Sequence, residues 1–341
     1  MKKITTLLFA ATLGLSTLSF AQQDPQFTQF MHVKQAYNPA VVGTNGSICA
    51  DALYRQQWVS FPGAPVTGLF CFNMPFDLPV IGKMGVGLTV MNDKIGFQNT
   101  FESRIALSKI IPIGLGVLSI GFDGGIYQTK IAGTYTAPTS AYDPTIPSNN
   151  TSAGSNNPNL NKLNPDFSGG IFYTIPNKVY IGISTTHIGN QTINGAAGNG
   201  TYTPPGTITP INDAYKLAFD VARHYYVIAG YTFNLRSGED ALTPNVIIKT
   251  DAASTQVDVN LTYMYKKMIG LGLSYRVQDA VAPMLVYKAP FGLRLAYSYD
   301  ITTSKIKGYS SGTHEISLGY CLKPKPAAKP QSHWNTRYFA E

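Results

Sequence analysis

Between residue 47 and residue 322 a period-two pattern recurs, in which apolar or aromatic side chains alternate with small or polar ones. Successive side chains of a β-strand point to opposite faces, so each such run is greasy on one side and polar on the other. Many such runs in succession close into a cylinder that lies in lipid, because closure leaves no strand edge with unpaired backbone groups. Residues 47–59 set Ile48, Ala50, Ala52, Tyr54 and Trp58 against Asp51, Arg55 and Gln57. Residues 97–107 set Phe97, Phe101, Ile105 and Leu107 against Gln98, Thr100, Glu102 and Arg104. Residues 291–299 set Phe291, Leu293, Leu295, Tyr297 and Tyr299 against Arg294 and Ser298, with Asp300 following, and residues 314–322 put Ile316, Leu318 and Tyr320 on the apolar side. In a barrel the charged positions point into the lumen.

Fifteen runs of this kind occur, one of them at residues 215–221 with Lys216 and Asp220 on its polar side. Bacterial single-chain barrels have an even strand number, so one run does not span. The expectation is an all-β fold, a transmembrane antiparallel β-barrel of about 14 strands over residues 47–322.

The chain opens with Lys2 and Lys3, an apolar stretch from Ile4 to Leu18 and a small-x-small site at Ser19-Phe20-Ala21. That is the pattern of a cleavable signal peptide over residues 1–21. The best later apolar stretch, residues 110–122, is short and broken by Pro112, Gly114, Gly116 and Gly121, so no transmembrane helix is expected. Charged residues make up 13% of the chain, against about 25% in ordinary soluble domains. The formal charge of +8 falls by two when Lys2 and Lys3 leave, to +6, and no basic block with interleaved aromatics suggests nucleic acid as a partner. The outer membrane and its lipids are the expected surroundings.

Residues 22–46 precede the strand rhythm and read as a segment that lies in the periplasm or enters the pore. Residues 323–341 follow it and begin Lys-Pro-Lys-Pro, which favours an extended periplasmic tail. Two connections, 132–165 and 188–212, are long, rich in Asn, Gly, Thr, Ser and Pro, and poor in charge. Long loops face the exterior in such barrels, and binding functions often reside in them.

Several pairs of lumen charges follow from the alternation: Asp51 with Arg55, Glu102 with Arg104, Lys216 with Asp220, and Arg294 with Asp300. They would tune an open pore or neutralise one another in a plugged one. Barrel closure would also place Arg55 beside Glu315 on the last strand, more simply as a rigidifying ion pair than as a ligand contact. Closure would bring Cys49 and Cys321 to one rim, although three separate buried thiols, with Cys71, are the plainer reading. Gly85-Val86-Gly87 and Gly114-Leu115-Gly116 lack the Lys-Ser/Thr of a phosphate loop and read as small residues that let a barrel curve.

Chemistry finds little support. An outer-membrane hydrolase needs a nucleophile, a His base and an orienting acid at one depth. His314 and Glu315 are adjacent on a strand and point to opposite faces, and His187 near Ser184 has no acid partner close in sequence. No catalytic, cofactor-binding or metal-binding residues are assigned. The remaining rival is a transport channel, a porin or a carrier of hydrophobic molecules.

The segment Asp24-Pro25-Gln26-Phe27-Thr28-Gln29-Phe30-Met31, then Tyr37-Asn38-Pro39-Ala40, resembles the start of the PorP/SprF family of the type IX secretion system. Arg55-Gln56-Gln57-Trp58 followed by Gly63-Ala64-Pro65 is similar to that family's first hairpin. Ser311-Gly312-Thr313-His314-Glu315-Ile316-Ser317-Leu318 is similar to its closing strands. The resemblance implies a non-enzymatic barrel that serves secretion or surface attachment of a partner, such as an adhesin of the kind used in gliding motility, through the partner's C-terminal sorting domain. Periplasmic components of the secretion system are implied as further partners. Asn38-Pro39 reads as a turn, and Trp58 as an aromatic at the membrane interface.

Overall fold

A computed structural model of the chain describes residues 24–131, 160–189, 192–202 and 211–323. The expected signal peptide, most of the first long loop and the Pro/Lys tail beyond residue 323 lie outside the described residues.

Among the described residues, seventeen strands follow one another along the chain. These are β1 (Ile48–Gln56), β2 (Val66–Leu78), β3 (Gly82–Ile95), β4 (Gln98–Ile113), β5 (Gly116–Ile131) and β6 (Leu160–Ile175). Next come β7 (Val179–Thr186), β8 (Thr192–Tyr202), β9 (Ile211–Asp220), β10 (His224–Tyr231), β11 (Phe233–Leu235) and β12 (Asp240–Thr250). The last are β13 (Thr255–Tyr265), β14 (Ile269–Arg276), β15 (Ala280–Lys288), β16 (Leu293–Thr302) and β17 (Thr313–Leu322). Fourteen of them close into one antiparallel barrel: β1 to β7, β10, and β12 to β17, with β1 paired to β17 and β10 paired to both β7 and β12. The three-residue β11 extends β10 along β12.

The surplus run of the sequence reading is β9. It pairs only with β8, in a hairpin outside the barrel sheet. Lys216 and Asp220 therefore do not stand on a spanning strand, and their side chains lie outside the described residues. The alternation of this run is real, but it belongs to a two-stranded ribbon in the connection between β7 and β10.

Burial follows the alternation strand by strand. On β17, Thr313, Glu315 and Ser317 are buried while His314, Ile316, Leu318 and Tyr320 face outward. Leu107, Phe122, Ile183 and Leu271 are each at least half exposed, so the outer belt is apolar and suited to lipid. Among the described residues no helix is long and apolar enough to cross a membrane.

Connections at one rim, the turn end, are short: β4 and β5 are joined by two residues, and β6 and β7 by three. Both long connections, β5 to β6 and β7 to β10, open at the other rim, the loop end. In bacterial barrels the loop end faces the exterior.

The β1–β17 seam runs through nine residue pairs, from Ile48↔Leu322 to Gln56↔His314. One of them is Cys49↔Cys321, and these cysteines form a disulfide, so the reading of three separate thiols is corrected. Only closure of the barrel brings these positions, 272 residues apart, together. Cys71 remains a buried thiol. Replacing both cysteines by alanine should leave the barrel closed through its backbone ladder and lower its unfolding free energy by about 3 kcal/mol. Denaturant midpoints in detergent would show it; an unchanged midpoint would mean that the covalent link adds nothing to the seam.

Candidate functional site: a plugged lumen

Residues 24–46 run inside the barrel, from Asp24 at the loop end to Gly46 at the turn end, where β1 begins. Three single 3-10 turns, Phe30–His32, Lys34–Ala36 and Pro39–Val41, make the segment compact. The last follows from sequence: Pro39 fills the first helical position, and the Asn38 Oδ1 accepts the Ala40 N–H at 2.9 Å. Phe27, Phe30, Val33, Tyr37, Ala40 and Val42 are all buried. All of these but Val42 join inward residues such as Leu53, Phe172, Tyr226 and Met284 in one apolar cluster. The core of this protein thus lies in its lumen.

The wall is cut to receive the plug. A Cβ on Gly85 would lie 2.1 Å from the Val42 carbonyl oxygen, and one on Gly121 would lie 2.4 Å from Ala40. Gly85 is therefore not merely a concession to barrel curvature, as its sequence context suggests; it leaves the groove in which Val42 rests. Asn38 anchors the same region by donating its Nδ2 hydrogens to the carbonyls of Ile171 at 3.1 Å and Ile183 at 3.3 Å.

Arg55 is the centre of the polar contacts. Its guanidinium is 2.7 Å from Glu315 and 2.9 Å from Asp300, and it donates to the Thr28 hydroxyl at 3.0 Å. Glu315 also accepts the backbone N–H groups of Thr28 at 3.0 Å and Gln29 at 2.7 Å. Gln29 exchanges further bonds with the wall: its Oε1 accepts from Ser317 at 2.6 Å, and its Nε2 donates to the Glu315 carbonyl at 3.0 Å. Arg276, which the sequence reading does not single out, meets Asp258 at 3.1 Å, Asp279 at 3.1 Å and Asp300 at 3.3 Å. The plug is held because Thr28 and Gln29 complete the coordination of charges that line the wall.

Asp51 and Asp300 find their partners across strands. Asp51 meets Arg294 at 2.7 Å and not Arg55, while Asp300 meets Arg55 and Arg276 and not Arg294. Four residues along a strand separate Cα atoms by about 13 Å and six by about 20 Å, whereas neighbours on adjacent strands stand about 5 Å apart. Asp51 and Arg294 both register with Gly319 on β17, and the missing side chain there lets Arg294 reach over to Asp51. Glu102 and Arg104 do come together, at 3.7 Å, with Asp123 at 3.9 Å. Arg104 also donates to Ser168 and to the plug carbonyl of Ala36, each at 3.0 Å.

The remaining motif residues meet at the loop end. Trp58 lies in the turn after β1, where its backbone N–H donates to the Thr313 hydroxyl at 3.1 Å. The Gln57 N–H donates to the Pro65 carbonyl at 2.9 Å, the Ala64 N–H to the Phe61 carbonyl at 3.1 Å, and the Val59 N–H to the Gly312 carbonyl at 2.8 Å. Gly63 and Gly312 have φ of +76° and +93°, a region that glycine occupies without strain. His314 faces outward beside Tyr297, whose hydroxyl is 2.7 Å from its Nδ1.

One cluster escapes sequence reasoning. Asp24, at the start of the plug, lies against His187, which follows β7, and His224, which opens β10. His187 thus has two acid neighbours that its local sequence conceals: Asp24 at 3.1 Å and Asp166 at 3.0 Å. Burial would lower the pKa of His187, but the two carboxylates outweigh it and hold the pKa well above the usual imidazole value. Burial would raise the pKa of Asp24, and the charges of His187 and His224 outweigh that, holding it well below the carboxylate range. Separations of 163 and 200 residues leave no local signal for such a cluster.

A lipid-facing cylinder whose lumen is filled by its own N-terminal segment defines a plugged outer-membrane β-barrel. Its sequence carries the assignment further. The chain belongs to the PorP/SprF family of type IX secretion system membrane proteins, whose profile matches residues 19–320. Comparison with curated proteins finds no sequence match. Similar solved structures include the Acinetobacter baumannii outer membrane protein Omp33, at 6% identity and a TM-score of 0.44, which covers 82% of this chain and 100% of its own. Two toluene transporters are also similar. TbuX of Ralstonia pickettii is 10% identical with a TM-score of 0.46, covering 84% of this chain and 92% of its own. TodX of Pseudomonas putida is 10% identical with a TM-score of 0.45, covering 86% and 93%.

Proposed function

We propose that this barrel acts without chemistry of its own, in the secretion or cell-surface attachment of a partner protein that it holds through the partner's C-terminal sorting domain. The observation that carries the reading is the filled lumen in a member of a secretion-system family. With its lumen occupied by Phe27, Phe30, Tyr37 and Val42 and locked through Arg55, the barrel would work at its exterior rim. The connections at 132–165 and 188–212 supply that surface. They share the loop end, where residues 57–65 and Gly312 form a hydrogen-bonded collar.

Replacing residues 133–158 and 190–220 by short turns tests the assignment. Thr192 and Asp220 are paired across the base of the hairpin, so the second excision leaves the barrel wall intact. Display of a co-encoded sorting-domain protein should fall to background while the barrel stays in the outer membrane; undiminished display would remove the loops from the mechanism. The rival reading, a transport channel, requires the plug to leave the lumen.

A further inference from the structure

At the loop end, Asp24, His187 and His224 each offer one ligand atom, and these three atoms lie within 4.8 Å of one another. The His187 Nε2 is 3.1 Å from the Asp24 Oδ1, while its Nδ1 lies 3.0 Å from the carboxylate of Asp166, a buried residue. A carboxylate behind one ring nitrogen, with the other nitrogen aimed at an acid, is the arrangement that orients metal-ligating histidines. The His224 Nδ1–H donates to the Ala222 carbonyl at 3.0 Å, which leaves Nε2 as its ligand atom, where an ion would displace the long 3.4 Å contact from the Asp24 N–H. Asp24 is steadied by the Tyr226 hydroxyl at 2.5 Å and the Thr186 hydroxyl at 3.3 Å, both donated to Oδ2. Beside the cluster is a cavity of about 150 Å³ lined by Asp24, His224, Glu102 and Tyr127, with room for water to complete a coordination shell.

We propose that Asp24, His187 and His224 bind a divalent transition-metal ion of zinc's chemistry, with Asp166 orienting His187 from behind. Two imidazoles and one carboxylate suit zinc, which keeps its further position for water when the protein supplies three ligands. The ion would join three parts of the molecule. Asp24 begins the plug, and His187 and His224 are the two roots of the connection that carries the β8–β9 hairpin. Metal binding would therefore pin the plug to the base of the longest exterior loop.

The test uses the mature full chain, without a histidine tag, purified in detergent and stripped with a chelator. Titration with zinc should show one equivalent bound by calorimetry, and cobalt should give the visible absorption of a low-coordinate site that zinc then quenches. Asp166→Asn should weaken zinc binding by about 10- to 100-fold, and His187→Ala or His224→Ala should abolish the stoichiometric step. Far-UV circular dichroism checks that each variant remains a barrel; should a variant misfold, the wild-type titration decides alone. The proposal is overturned if the stripped wild type binds no equivalent of zinc, or if folded His187→Ala and His224→Ala bind it as tightly as the wild type.

Discussion

Arg55→Ala should destabilise the folded barrel by about 3–5 kcal/mol, because it leaves buried carboxylates without their shared cation. Arg55 is 1% exposed and Glu315 0%, so the truncation leaves the carboxylates in a buried site where water cannot supply the lost charge. The loss should be strongly coupled to Glu315. Glu315→Ala alone takes from Arg55 one of its two carboxylates, leaving Asp300, and frees the N–H groups of Thr28 and Gln29, whereas in the Arg55→Ala background the ion-pair part of that penalty has already been incurred. A double-mutant cycle read from denaturant unfolding in detergent should therefore give a coupling energy of about 1–3 kcal/mol. Additive losses would show that the two residues act separately and that the Arg55 network does not lock the plug.

The second expected result is an opened pore. Deleting residues 24–46 behind the signal peptide removes the apolar filling of the lumen and leaves a wall that mixes charges with apolar residues such as Leu53 and Phe172, and fourteen strands enclose a lumen wide enough for water. Liposomes carrying the shortened barrel should swell in small sugars at least on the order of tenfold faster than those carrying the full chain. Because the deletion removes core residues, a second variant guards the conclusion. A Gln29→Cys/Ser317→Cys pair joined by a short bifunctional thiol reagent, at positions whose side chains now touch at 2.6 Å, would tie the plug to β17. If the plug is a permanent filling, flux through the tethered protein equals the low flux of the wild type. If the wild type conducts and the tether stops it, the plug is a gate and the channel reading prevails.

Much of the architecture was legible in the alternation itself. On β1 the sequence places Asp51 and Arg55 on one face and Tyr54 on the other, and that is how they stand. The faces of β4 and β17 follow in the same way, because the two-residue repeat of a strand acts within a few residues. The repeat does not say which strands enter the sheet. β9 alternates as well as any, yet its hydrogen bonds go to β8 and not to the wall. Nor does it say which charges meet: Asp51 reaches Arg294 only because Gly319 lies between them in the register.

The candidate sites belong to the tertiary structure. Thr28 and Gln29 carry no local mark of their role; they matter because Glu315, 286 residues from Gln29, presents its carboxylate to their N–H groups. Cys49 and Cys321, and Asp24 with His187 and His224, are likewise assembled by closure of the cylinder around its own N-terminus. By itself the sequence determined the strands, their two faces and the apolar belt, since those depend on the local repeat of side chains. The tertiary structure alone decided the filled lumen, the partners of each buried charge and the histidine cluster, since these depend on which distant segments the closed ladder brings side by side.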